Sequence, residues 1–175
     1  SLPDLAPCIV HFDYMPDNLM LLENREGIEA CGVIDFQKAM VGLPPYDLAM
    51  LLQEARRDTD QALRDEMFEY YLSLRPELDR AEFTRAYHIL AGNQQTRILG
   101  TFTRLYMRDG KPKYRSFIPR VARLFASDLE DAATSALRGW MEKYVPQIFE
   151  FGHQITTAMV MAAGHGTRMR PLTND

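Results

Sequence analysis

The segment HFDYMPDN, residues 11–18, followed by VIDF, residues 33–36, decides how this chain is interpreted. Short apolar runs at 8–12 and 19–23 lie on either side of the turn-rich first segment, and they predict two strands. A turn at 24–27 and an apolar run at 29–35 then predict the returning strand of a hairpin. The gap from Asn18 to Asp35 suits a hairpin that brings both residues to the same end.

The side chains of these two segments suit phosphoryl transfer, which asks a protein mainly for positioning and for neutralisation of charge. Asp13 is the candidate catalytic base, and Asn18 and Asp35 are the candidate ligands for Mg²⁺, which prefers oxygen. Taken alone, His11 would be a structural histidine and Asn18 a turn residue. Because they occur together and in order around a predicted hairpin, we favour the functional interpretation, with His11 supporting the site.

The composition excludes several other classes of protein. The 175 residues suffice for one domain with a real core, and a formal net charge of −4 with a pI near 5.6 argues against a nucleic-acid or anionic-membrane binder. No apolar run approaches the roughly 20 residues of a membrane-spanning helix. Cys8 and Cys31 lack zinc-site spacing, and we interpret them as reduced thiols. We therefore expect a cytoplasmic protein.

The chain after residue 45 has a helical pattern. Apolar periodicity predicts helices over about 47–57, 60–74, 79–107, 116–129 and 132–144. Asp47 is expected to cap the first of them, and residues 58–60 and Asp79 to begin the next two. Pro119 is expected in the first turn of the fourth helix, where a missing N–H is tolerated. The predicted fold is mainly α with a small β-hairpin.

The end of the chain changes character. We expect a first domain over residues 1–146, a linker over 147–156 and a truncated second domain over 157–175. The second begins with a buried strand and a glycine loop, AGHGTRMRPLT at 163–173. Such a loop lets backbone N–H groups approach phosphates. The candidate nucleotide-binding residues there are Ala163, Gly164, Gly166, Thr167 and Arg168.

Residues 8–57 resemble the catalytic core of the aminoglycoside phosphotransferase-like family, small-molecule kinases related in fold to protein kinases. Within it, DNL at 17–19, DFQ at 35–37 and YDLA at 46–49 are similar to the cell-wall sugar kinases, and the likeness extends over about 5–146. The resemblance implies the C-terminal lobe of a kinase-like fold, with the N-terminal lobe missing, and the use of ATP and Mg²⁺. It also implies Asp13 as the base, with Asp47 as structural support of the site.

The glycine loop resembles the N-terminal signature of sugar-1-phosphate nucleotidyltransferases, a Rossmann-like α/β family that uses UTP or another nucleoside triphosphate. A kinase that makes a sugar 1-phosphate and a transferase that consumes it are consecutive steps. The two resemblances together imply a fragment of a bifunctional kinase–uridylyltransferase of cell-wall (peptidoglycan) sugar recycling. Its kinase would act on the anomeric hydroxyl of N-acetylmuramate or N-acetylglucosamine, and the fragment alone is expected to be inactive.

Three alternatives stay open at this point. A choline-type kinase would use aromatic faces such as Tyr14, Tyr46 and Trp140. An aminoglycoside kinase would need an acidic pocket, for which Glu66, Glu69 and Glu130 are available. A non-catalytic binding module is the third. We expect a small sugar as partner, with neither nucleic acid nor membrane, and the sequence leaves the oligomeric state open.

Overall fold

The computed structural model describes residues 2–150, which form four short strands followed by five α-helices. The predicted glycine loop and its five candidate nucleotide-binding residues lie outside the described residues. The strands are β1 (Cys8–Val10), β2 (Leu19–Leu21), β3 (Cys31–Val33) and β4 (Met40–Gly42). The helices are α1 (Pro45–Leu52), α2 (Gln61–Ser73), α3 (Arg80–Met107), α4 (Lys113–Asp128) and α5 (Ser135–Tyr144). The mainly helical fold predicted from the sequence is confirmed.

The strands form two separate two-stranded antiparallel sheets. β2 pairs with β3, with Leu19 opposite Val33, which confirms the predicted hairpin. β1 pairs with β4, with Cys8 opposite Gly42. β4 was not predicted, because three residues are too few to show the alternation that marks a strand. The effect of this second pair is to fix the chain on both sides of the hairpin.

Aspartates begin the two long helices as predicted. Asp60 accepts a hydrogen bond from the Leu63 N–H at 2.7 Å, and Asp79 accepts one from the Glu82 N–H at 2.8 Å. Each satisfies a backbone donor that has no partner within the helix. α3 continues unbroken for 28 residues, because packing against its neighbours outweighs the low helix propensity of its two glycines.

Two helix boundaries differ from the predictions. α1 begins at Pro45, whose missing N–H is tolerated in a first turn, and it ends at Leu52 rather than near residue 57. Asp47 therefore lies inside its first turn and does not cap it. α4 begins at Lys113, so Pro119 lies inside the helix, beyond its first turn, and supplies no N–H to the turn before it.

The core lies where α3 packs against α1 and α4. One cluster joins the buried Phe83 and Ala86 of α3 to Leu5, and a second joins Phe125 of α4 to Met141 and Ile148. Ile148 belongs to the segment 147–156 predicted as a linker, so the chain stays packed on the helical core as far as this residue. Within residues 2–150, no helix is long and apolar enough to cross a membrane.

A polar network is buried between these helices. The Gln95 Nε2 donates to Gln53 Oε1 at 3.0 Å, and the Gln53 Nε2 donates to Asp128 Oδ1 at 2.9 Å. The same Asp128 oxygen lies 3.0 Å from His88 Nδ1. Asp128 is only 1% exposed, and its burial raises the pKa of that carboxyl. Burial by itself lowers the pKa of His88, but the hydrogen bond and charge of Asp128 outweigh burial and raise it.

This pair makes the stability of the protein depend on pH. A histidine whose pKa is raised on folding stabilises the fold fully below its unfolded value of 6.5, and this contribution is lost as the pH rises through the folded pKa. We therefore expect the free energy of unfolding to fall as the pH increases from 6 to 8.5. The substitution His88→Gln should flatten this slope in urea titrations at several pH values. A slope that survives the substitution would contradict the assignment.

Candidate active site

His11 ties the loop after β1 to the end of the β2–β3 hairpin. Its side chain is buried, and its Nε2 lies 2.9 Å from the Ile34 carbonyl oxygen, while its Nδ1 accepts the Asp13 N–H at 3.3 Å. A carbonyl can only accept and an amide N–H can only donate, so the two contacts together place the imidazole proton on Nε2. This histidine thus holds Asp13 in a fixed position relative to the residue that precedes Asp35.

Asp47 holds the same loop from the helical side. Its two carboxylate oxygens accept the N–H groups of His11 at 2.6 Å and of Phe12 at 3.1 Å. Phe12 has a φ of 67°, in the left-handed region that bulky residues rarely adopt, and its ring stacks on Tyr46 with centroids 4.4 Å apart. The sequence predicted a helix cap at this aspartate, whereas the structure uses the side chain to fix the loop backbone.

Hydrogen bonds to backbone groups bring the candidate base and the two candidate metal ligands to one end of the hairpin. The Asn18 Nδ2 donates to the Asp13 carbonyl at 2.8 Å, and the Ile34 N–H donates to the Asn18 carbonyl at 3.0 Å. Asp35 follows directly and also has a left-handed φ, of 64°. The structure thus places Asn18 against the Asp13 backbone and Asp35 directly after the Ile34–Asn18 bond, at one end of the hairpin.

The side-chain oxygens of this cluster suit a magnesium ion. The Asn18 amide donates through nitrogen, which leaves its Oδ1 for a cation, and Asp35 accepts Gln37 Nε2 at 2.8 Å with Oδ1 only. Mg²⁺ takes one or two protein oxygens and completes its shell with water and substrate phosphates. Within residues 2–150 there is no cluster of three or more His, Cys, Asp or Glu that could hold a metal. Asn18 Oδ1 and the Asp35 carboxylate are thus the oxygen atoms that this end of the hairpin offers to a cation.

Lys38 is a neighbour of the site that the sequence did not reveal. Its Nζ lies 3.5 Å from Asp13 Oδ2, and the lysine side chain is largely exposed while that of Asp13 is mostly covered. An exposed pair of this kind contributes about 0–1 kcal/mol to stability. Its consequence is electrostatic, because a mobile positive charge lies beside the candidate base.

A turn after α1 supports the loop from its other side. The buried Glu54 accepts the N–H groups of Arg56 and Arg57, both at 2.7 Å. The Arg56 guanidinium then contacts Met15, and that of Arg57 forms an ion pair with Asp17. Both arginines therefore contact the loop segment between Asp13 and Asn18.

A cavity of about 180 Å³ opens beside Asp13. Residues of the loop, of the turn after α1 and of α3 line it, among them Asp13, Met15, Gln53, Gln94, Gln95 and Arg97. The candidate base thus forms part of the wall of a partly open, partly polar cavity. An acceptor hydroxyl bound in this cavity would have direct access to a carboxylate.

Comparison with known proteins points to one class of enzyme. Residues 1–87, which contain the whole loop, the hairpin and α1, match the phosphotransferase enzyme family. All the site residues discussed so far except those of α3 fall inside this match.

Individual similar proteins carry names that are more specific than the family description. The chain is 42% identical over 141 residues to the N-acetylmuramate/N-acetylglucosamine kinase of Caulobacter vibrioides, covering 81% of this chain and 39% of that protein. Kinases of the same name from Neisseria meningitidis and Pseudomonas aeruginosa are 37% identical over 118 residues and 30% over 146 residues. These two alignments cover 63% and 79% of this chain, and 34% and 41% of the relatives. The chain spans about two-fifths of the relatives' length or less, and the matches support a kinase.

The role of Asp47 can be tested by a substitution that keeps its shape. In Asp47→Asn, one of the two acceptors becomes a donor that faces a backbone N–H, so the loop should loosen. We expect the amides of His11 and Phe12 to exchange hydrogen about 10 to 100 times faster, since bonds to charged groups contribute about 1.5–3 kcal/mol. Measurement by NMR on the full-length protein, with Asp65→Asn on exposed α2 as control, checks this. Unchanged exchange at both amides would disprove the role.

Proposed function

We propose that the protein is an ATP-dependent kinase that phosphorylates the anomeric hydroxyl of N-acetylmuramate or N-acetylglucosamine. The observation that carries this proposal is the gathering of Asp13, Asn18 and Asp35 at one end of the hairpin, beside a cavity that can take an acceptor. The names of the similar kinases support the choice of sugar. The proposal also places the protein in cell-wall sugar recycling in the cytoplasm.

Asp13 acts in this proposal as the base that accepts the proton of the sugar hydroxyl. Its backbone is fixed on both sides, by His11 at its N–H and by Asn18 at its carbonyl, so the carboxylate keeps one position at the cavity wall. Asn18 and Asp35 would hold Mg²⁺, which would neutralise charge on the transferred phosphate. Positioning of this kind is the main contribution that phosphoryl transfer asks of a protein.

An apolar surface around the hairpin indicates where nucleotide-binding residues would be added. Ile9, Val41, Leu21 and Ile28 are 71–89% exposed, and they lie on both small sheets and their connection. Four large, exposed apolar side chains on these short elements indicate an interaction face. We propose that a nucleotide-binding lobe covers it in the full-length protein, as the kinase-like fold implies, and that residues 1–175 alone have negligible activity.

The two alternative kinases receive less support from the same geometry. A choline site needs convergent aromatic faces, but Tyr46 stacks on Phe12 and Trp140 packs near Tyr144 on α5, away from the cavity. An aminoglycoside site needs an acidic wall, but Glu69 is paired with Arg80 on the helical surface. The observations favour neither alternative.

The anomeric specificity can be tested on the full-length protein with ATP, Mg²⁺ and N-acetylglucosamine. We expect a sugar 1-phosphate, identified by ³¹P NMR through its coupling to the anomeric proton. Asp13→Asn should lower kcat on the order of 10³-fold, because positioned general bases contribute 10²–10⁴-fold. Asp65→Asn serves as the matched control with an unchanged rate. Phosphate on another hydroxyl would exclude the anomeric assignment, and no sugar phosphate at all would exclude the kinase.

The proposed second activity rests on the glycine loop at 163–173 alone. If the full-length protein joins a kinase to a uridylyltransferase, adding UTP to the same reaction should convert the sugar 1-phosphate into a UDP-sugar. Arg168→Ala should suppress this second product by at least tenfold and leave the kinase rate unchanged, because an arginine there would stabilise the departing pyrophosphate. Mass spectrometry of the two products separates the steps. Absence of UDP-sugar with every nucleoside triphosphate would refute the fusion.

A further inference from the structure

Two neighbouring glutamines of α3 lie in the wall of the cavity that contains Asp13. Gln94 and Gln95 are 5% and 1% exposed, so both are buried. Each has one polar atom without a hydrogen-bond partner among residues 2–150: Nε2 of Gln94 and Oε1 of Gln95. Buried polar atoms are almost always paired, so two adjacent exceptions in a ligand-sized cavity need a physical explanation.

The orientation of the Gln95 amide is fixed by its neighbours. Its Nε2 donates to the backbone carbonyl of Gln53 at 3.3 Å and to Gln53 Oε1 at 3.0 Å. The Gln53 amide is oriented in turn by the Asp128 carboxylate, to which its own Nε2 donates. A reversed Gln95 would set oxygen against oxygen at both contacts. The atom left over is therefore an acceptor, Oε1.

The orientation of the Gln94 amide is fixed in the opposite sense. Its Oε1 accepts the Arg97 Nε–H at 3.1 Å and the Tyr46 hydroxyl at 3.2 Å. A guanidinium carries only donors, so the oxygen must face Arg97. The atom left over is therefore a donor, Nε2. The cavity wall thus offers one free donor and one free acceptor on adjacent residues.

Two chemical groups match this pair, a secondary amide and a hydroxyl, because each carries a donor and an acceptor. The N-acetyl sugars in the names of the similar kinases favour the secondary amide. A carboxylate would be repelled by Gln95 Oε1, and an ammonium would oppose the Gln94 donor. Both free atoms are covered by protein, so pairing them requires a small movement of each side chain toward a water or a ligand group in the cavity.

We propose that Gln94 and Gln95 recognise the acetamido group of the sugar. Gln94 Nε2 donates to its carbonyl oxygen, and Gln95 Oε1 accepts from its N–H. This inference rests on the function proposed above and names the specificity element of the same site. The geometry is compatible with catalysis, because the acetamido group is on the carbon next to the anomeric one. Tyr46, which binds Gln94, also stacks on Phe12, the residue before Asp13.

The test compares N-acetylglucosamine with glucose in the full-length protein. Gln94→Met and Gln95→Met should each lower the ratio of kcat/KM for N-acetylglucosamine to kcat/KM for glucose about tenfold. The matched control is Gln61→Met on α2, an exposed glutamine bound to Asp65 and Arg64, which should not change the ratio. Circular dichroism of each variant reports whether the fold is kept.

The outcomes separate this inference from the proposed function. If the wild-type protein phosphorylates no amino sugar, the proposed function fails and the inference fails with it. If N-acetylglucosamine is phosphorylated but both variants lose activity equally on both sugars, only the inference is overturned, and the glutamines are structural. A crystal structure of the wild-type complex decides the matter if the variants do not fold. Water on the two free atoms, with the acetamido group elsewhere, would refute the recognition.

Discussion

The pair of hydrogen bonds from the His11 and Phe12 backbone to the Asp47 carboxylate is the contact on which the site depends. Phe12 is held in a left-handed conformation that costs about 1–3 kcal/mol, and bonds to a charged acceptor contribute about 1.5–3 kcal/mol each. The two bonds together exceed the cost of this conformation, so the loop keeps its shape because the carboxylate is present. Asp47 is itself immobile, because α1 packs against α3 in the helical core. The position of the site therefore depends on the helical core rather than on its own small sheets.

Within the loop and hairpin, main-chain groups do most of the positioning. His11 binds the Asp13 N–H and the Ile34 carbonyl, and Asn18 uses its nitrogen to bind the Asp13 carbonyl. The side-chain oxygens of Asp13, Asn18 and Asp35 thus make few hydrogen bonds within residues 2–150. This division matters for a magnesium-dependent reaction, since Mg²⁺ is bound through oxygen atoms.

The sequence predicted the parts of the structure that have a local signal. Asp60 and Asp79 were expected to begin helices and do so, and the gap between Asn18 and Asp35 predicted the hairpin. Asp47 was expected both to cap α1 and to support the site, and the cap was wrong, because an aspartate at the start of a helical pattern looks like a cap whatever its side chain contacts. The glutamines were missed for a different reason: Gln53 bonds to residues 42 and 75 positions away, and a single sequence contains no signal for such pairs.

A single short helix sets the distance between the candidate base and the amides of the cavity. Asp47, in the first turn of α1, holds the loop that presents Asp13, while Gln53, directly after its last residue, orients Gln95. Eight helical residues span about 12 Å, a rigid spacer on the scale of a monosaccharide with its phosphate. A small shift of α1 would move the loop and the Gln53 contact together. The position of Asp13 relative to Gln95 is therefore maintained, because both depend on the same helix.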